Sequence, residues 1–96
     1  MDLNTALDVA LVTAPAGHPT VSGEAVMMLA GPSRGTEALD AVNEVLDLAH
    51  RTGRTAASPE LAAAADEVCA KVAAQWPELS PDVVRRIGNL WAWENK

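Results

Sequence analysis

The sequence has no phenylalanine, no tyrosine and a single cysteine, and three tryptophans are its only aromatic residues. Because Cys69 has no second thiol to pair with, an intrachain disulfide is excluded, which favours a reducing cytoplasm. No apolar run approaches the ~20 residues of a membrane-spanning helix. The acidic start MDLNTALD also differs from the basic start of a signal peptide. We therefore expect a cytoplasmic protein with no membrane partner.

Positive charge is also scarce. Lys and Arg total 7 against 13 Asp and Glu, giving a formal net charge of −6 and a pI near 4.6. This balance argues against general attraction to nucleic acid or to an anionic membrane. The excess of Arg over Lys, together with much Ala, Val and Gly, suggests a bacterial or phage genome of high GC content.

The apolar content is high in amount but unusual in kind. Hydrophobic residues make up 49% of the 96 residues, and about a fifth of the chain is alanine. A buried alanine contributes much less than a buried leucine, at about 25 cal/mol per Å² of apolar area. We therefore expect one domain, residues 1–96, with a thin core. Thin cores in small chains are often completed by a partner or a second copy.

The most regular segment is a predicted helix over residues 36–52, with Thr36 as its cap and Gly53 as its stop. At about 100° per residue, its apolar side chains share one wide face, which the other segments must cover from more than one direction. The core of this face is Leu39, Val42, Leu46 and Ala49. The opposite face carries the acidic residues Glu37, Asp40, Glu44 and Asp47.

Two further helices are predicted over residues 59–75 and 81–93, each introduced by a Ser-Pro start signal at Ser58 or Ser80. Residues 54–58 and 76–80 form the turns between helices. The remaining segments, 2–13 and 24–30, flank a loop at 14–23 that is rich in Pro and Gly. We favour helices for both, with a hairpin pairing 8–14 with 24–30 as the alternative. The predicted fold is an all-α bundle of four or five short helices.

The sharpest candidate for a contact residue is Trp93. It lies about 200° round the last helix from Trp91, so the two indoles cannot enter the core from the same side. Trp93 either covers the open end of the bundle or anchors an interface, as tryptophan often does. In the second case Arg86 and Asn89, which lie beside it, complete the contact surface.

The acidic line Glu37, Asp40, Glu44 and Asp47 also has two interpretations. It is a solvated helix face, or a docking surface that gives specificity for a basic partner. Acid–base or metal chemistry would need a cleft and further ligands. The loop from Gly31 to Thr36 precedes a helix N-terminus and could hold an anion, but it lacks the lysine of a phosphate loop.

Residues 76–80 have the length of the turn in a helix-turn-helix. The following helix would then present Arg85, Arg86, Asn89, Asn95 and Lys96 to DNA. Its small net positive charge makes this the alternative and not the main interpretation.

No catalytic set or ligand spacing joins His18, His50 and Cys69. Cys69 is better placed at the edge of the core. We predict a non-enzymatic protein-interaction module without cofactor or metal, such as a small adapter, regulator or inhibitor. It associates with itself as a homodimer or completes its core with a partner protein.

Overall fold

The computed structural model describes residues 1–57 and 59–96, which form five helices and one two-stranded hairpin. The predicted all-α bundle is confirmed, and the three main helices lie within two residues of the predicted bounds. In chain order the elements are α1 (Leu3–Ala10), β1 (Leu11–Thr13), β2 (Pro19–Val21), α2 (Gly23–Ala30), α3 (Gly35–Arg54), α4 (Leu61–Gln75) and α5 (Pro81–Asn95).

Three helices begin at a side-chain cap. Asp2, Ser22 and Ser80 each accept a hydrogen bond from the backbone N–H three residues further on, at 2.7, 3.1 and 3.2 Å. Each cap satisfies one of the N–H groups that a helix start leaves unpaired. These three positions therefore fix where α1, α2 and α5 begin.

The prediction that Thr36 caps α3 is wrong. The cap position is Arg34, whose side chain makes no capping hydrogen bond, and the helix starts at Gly35. The Gly35 N–H donates to the Gly31 carbonyl at 2.7 Å, and Met27 packs so closely that a Cβ at Gly35 would overlap its side chain. This turn and the contact with Met27 place Gly35 at the first position of α3, one residue before Thr36.

The start of α4 also differs from the prediction. The helix begins at Leu61 with Glu60 at the cap position, two residues later than the predicted Pro59. Ser58, the predicted cap, lies outside the described residues.

Gly53 does not stop α3, which continues to Arg54. A Cβ at Gly53 would overlap the indole of Trp91. The glycine is therefore explained by the close approach of a bulky side chain from α5, and the helix ends only after this contact has been made.

The N-terminal segment, for which helices or a hairpin were predicted, contains two helices and a hairpin. Residues 3–10 and 23–30 are helices, and the hairpin pairs β1 with β2 in antiparallel register, Leu11 opposite Val21. The predicted loop 14–23 therefore contains β2 and the start of α2, and the alternative pairing of 8–14 with 24–30 is wrong. The tight connection over 14–18 depends on Gly17, whose φ of 89° favours glycine.

The core lies around α3, which packs against each of the other four described helices. Val42, Val45, Leu46 and Ala49 are buried on its apolar face, while Leu39 and Leu48 are half-buried. The molecule measures 41 × 31 × 19 Å. Since a helix with side chains is about 10–12 Å across, the short dimension holds only about two helices. No described helix is long and apolar enough to cross a membrane.

Candidate interaction surface

Trp93 and Trp91 point away from each other, as predicted from their spacing. The Trp91 side chain is buried with 6% exposure, whereas Trp93 keeps 39%. Both belong to α5, whose buried side chains fix its rotation: Val83, Val84, Ile87, Leu90 and Trp91. With that face in the core, position 93 is directed to the surface.

The Trp93 indole is held by two neighbours. The His18 ring, from the hairpin loop, stacks on it in parallel with ring centroids 5.0 Å apart and 3° between planes. The Lys96 Nζ lies 3.4 Å from the centre of the ring, within the range of a cation–π contact. Trp93 therefore covers part of the hairpin loop and is exposed in part. We call His18, Asn89, Trp93 and Lys96 the Trp93 surface.

Asn89 is exposed on the same side of α5, one turn before Trp93. It lines a shallow cleft between α5 and the hairpin. The cleft is formed by Leu11, Val12, Thr13, Gly17, Pro19, Thr20, Arg86 and Asn89. The Trp93 surface therefore continues into a concave region along α5.

Arg86 lies at the inner wall of this cleft, and its guanidinium is engaged within the chain. It donates to the Asp8 carboxylate at 2.6 Å, to the Asp8 carbonyl at 2.9 Å and to the Leu11 carbonyl at 2.6 Å. The side chain is 25% exposed. Arg86 thus joins α5 to the end of α1 and the start of β1, and its partner-binding role remains a prediction.

The four acidic residues of α3 form a second, separate feature. Glu37, Asp40, Glu44 and Asp47 are all exposed. Another residue of α3, His50, contacts the end of α5. Its Nε2 lies 3.2 Å from the Glu94 carboxylate. His50 Nδ1 lies 2.8 Å from the Leu46 carbonyl. The acidic face is therefore on a different helix from the Trp93 surface.

Sequence reasoning missed the most exposed large apolar side chains in the described chain. Met28 is 78% exposed and Leu29 is 59% exposed, both on α2. We call this pair the α2 knob. The available signal was composition: six of the seven residues in 24–30 are apolar, and a short surface helix cannot bury all of them.

A groove on the outer side of α4 and α5 is also apolar. We call it the α4–α5 groove, and it is lined by Cys69, Ala70, Ala73, Leu79, Pro81, Val84 and Arg85. Cys69 is half-buried, as expected for the edge of the core, and its Sγ lies 3.5 Å from the Val84 carbonyl. Burial and the negative charge of Asp66 raise the pKa of its thiol, which disfavours the reactive thiolate.

Four of the five candidate DNA-contacting residues are engaged by neighbours, whereas Asn89 is exposed. Arg85 pairs with Asp82, and this hydrogen bond, with a smaller contribution from Arg86, lowers the pKa of the Asp82 carboxyl. Lys96 lies over Trp93. Asn95 donates to the Trp91 carbonyl at 2.8 Å.

Among the described residues, no group of three His, Cys, Asp or Glu side chains is placed to hold a metal ion. Comparison of the chain with protein-family models, with curated proteins and with solved structures finds no match.

Proposed function

We propose that the chain is a non-enzymatic protein-interaction module, and that the Trp93 surface is its contact site. The observation that carries the proposal is a tryptophan that is 39% exposed although it is held by two neighbours. Tryptophan is enriched among residues that dominate binding energy. An indole that is already ordered loses less side-chain freedom on binding, a cost of about 0.5–1.5 kcal/mol for a mobile side chain.

The surroundings of Trp93 support a macromolecular partner. Asn89 offers donors and acceptors beside an apolar ring, a common combination at protein interfaces. The partner is a protein, either a different chain or a second copy. The acidic face of α3 then gives specificity for a partner that carries basic residues.

The same proposal covers the biological role and the location of the module. The module acts as a small adapter, regulator or inhibitor in the cytoplasm of a bacterial or phage-infected cell, where a lone thiol stays reduced. The geometry lends no support to DNA binding, because Arg85, Arg86 and Lys96 are each engaged within the chain. We therefore do not propose a second function.

The test compares the wild type with Trp93→Ala and, as a matched control at another exposed apolar position, Leu29→Ala. Light scattering over a range of concentrations measures self-association, and affinity capture from an extract of the native host measures binding to other proteins. We expect Trp93→Ala to lose at least one specific interaction that Leu29→Ala retains. Far-UV circular dichroism checks that both variants keep their helices.

The proposal fails if Trp93→Ala leaves self-association and every captured protein unchanged. Loss of binding in Leu29→Ala alone would also refute it, because the contact would then belong to the α2 knob.

A further inference from the structure

The hairpin of β1 and β2 is anchored at its base, where it follows α1 and leads into α2. Leu11 is buried in the core, and the Ser22 N–H donates to the Ala10 carbonyl at 2.8 Å. The Arg86 guanidinium of α5 adds a hydrogen bond to the Leu11 carbonyl at 2.6 Å. The base of the hairpin is therefore fixed by packing and by hydrogen bonds to its surroundings.

The other end of the hairpin, residues 14–18, is held differently, and we call it the hairpin tip. Residues 15–17 are exposed, and the Ala14 N–H donates within the tip, to the His18 carbonyl at 2.8 Å. In the described part of the chain, no hydrogen bond or ion pair joins the tip to a helix. The stack of the His18 ring on Trp93 is the contact that joins it to α5.

The imidazole of His18 is oriented from the hairpin side. Its Nδ1 lies 3.2 Å from the Pro19 carbonyl, and a carbonyl oxygen only accepts, so Nδ1 carries the hydrogen of this bond. In this orientation the imidazole plane lies 3° from the plane of the Trp93 indole, with 5.0 Å between the ring centroids. This distance is within the range of a favourable aromatic pair. His18 therefore connects the conformation of the tip to that of the indole.

A contact of this strength is sufficient to determine the position of so short a hairpin. The two strands have three residues each, and an isolated two-stranded hairpin is at best marginally stable in water. An aromatic pair shifts such an equilibrium by about two- to tenfold. Loss of either ring should therefore let the tip separate from α5 more often, while the base stays in place.

We propose that His18 is a positioning residue of the Trp93 surface: the His18–Trp93 stack holds the hairpin tip on α5 and keeps the indole in the orientation that a partner contacts. The tip and the indole then share one equilibrium between a closed and an open state. A partner that binds the closed state also stabilises the closed tip. The effect on binding rests on the proposed function, whereas the closed tip is a property of the free chain.

Hydrogen exchange of single amides, followed by NMR on the free chain, tests the role of the stack. Local opening of the tip exposes the Ala14 N–H to exchange. His18→Ala and Trp93→Ala should each accelerate its exchange by about fivefold. The double variant should be no faster than either single variant, because both substitutions remove the same contact. The Ser22 N–H at the base should keep its wild-type rate.

Two further variants serve as controls. His18→Phe keeps an aromatic ring at the tip and should restore slow exchange of the Ala14 N–H. Asn89→Ala changes another exposed residue on the same side of α5 and should leave the exchange unchanged. Wild-type rates at Ala14 in both His18→Ala and Trp93→Ala would overturn the proposal. Equal acceleration at Ala14 and Ser22 would also overturn it, because the hairpin would then open as a whole.

The orientation of the indole is measured separately. The heteronuclear NOE of the Trp93 Nε1–H reports motion of the ring on the ps–ns timescale. It should fall in His18→Ala and recover in His18→Phe, while the NOE of the buried Trp91 indole stays constant. An unchanged Trp93 NOE in His18→Ala would refute the positioning role.

The link to binding uses the interactions that Trp93→Ala abolishes. His18→Ala should weaken each of them by about threefold, and His18→Phe should restore them. If such an interaction keeps its full strength in His18→Ala, the positioning role fails and the proposed function stands. If Trp93→Ala abolishes no interaction, the proposed function fails together with the effect on binding, and hydrogen exchange alone decides whether the stack closes the tip.

Discussion

Gly53 and Trp91 show how one residue determines the contact between two helices. Trp91 is buried with 6% exposure, and its indole occupies the space that a side chain at position 53 would need. In a chain without phenylalanine or tyrosine, this indole is the largest side chain in a core made mainly of valine, leucine and alanine. The glycine lets α3 and α5 approach closely enough to bury it.

We predict that Gly53→Ala destabilises the fold although alanine is the better helix former. Overpacking of a closely packed contact costs about 1–3 kcal/mol, which outweighs a helix-propensity gain of up to about 1 kcal/mol. Urea denaturation measures the change in the free energy of unfolding. In the background of Trp91→Leu the overlap is absent, so the same substitution should be neutral or stabilising. An equal loss in both backgrounds would contradict the packing explanation.

At the level of elements, sequence patterns located the helices well, because residues that are close in sequence largely determine where a helix forms. Ser80 followed by Pro81 correctly predicts the first residue of α5. The errors occur where contacts with residues further away in the sequence determine the helix bounds. Gly35 and Gly53 have roles that depend on Met27 and Trp91, and sequence spacing does not show such contacts.

The candidate site was predictable to a similar extent. The outward position of Trp93 follows from helical periodicity, but its contact with His18 depends on the hairpin. The two strands have three residues each, too few for an alternating pattern to identify them. The exposed Met28 and Leu29 were missed because an apolar run does not show which of its members lack cover.

Arg86 links three elements, and its neighbour Arg85 is a matched control. Arg86 is 25% exposed and bonds the end of α1 and the start of β1, whereas Arg85 is 64% exposed and pairs with Asp82 within α5. Lysine keeps the charge but lacks the planar fork of donors. We predict that Arg86→Lys lowers the free energy of unfolding by about 1–2 kcal/mol, and that Arg85→Lys changes it by less than about 0.5 kcal/mol. Urea denaturation distinguishes them, and equal effects would show that Arg86 does not join these elements.

At the level of the whole molecule, thickness limits what the chain can bury. The short dimension of 19 Å leaves each main helix with one face toward the solvent. Helix α2 likewise keeps Met28 and Leu29 exposed. The radius of gyration, 13.1 Å, is slightly above the value of about 12.5 Å expected for this length. Association of copies would thicken the apolar interior without changing the fold, although a net charge of −6 per chain opposes it at low salt.

We predict from this that thermal stability depends on protein concentration. If copies associate only when they are folded, a tenfold rise in concentration stabilises each subunit by up to about 1.4 kcal/mol. For a domain of this size about 1 kcal/mol shifts Tm by about 4–8 °C, so Tm should rise by several degrees. Calorimetry at moderate salt measures the shift. Trp93→Ala should show a constant Tm and Leu29→Ala should keep the wild-type dependence, whereas the reverse pattern would place the self-contact at the α2 knob.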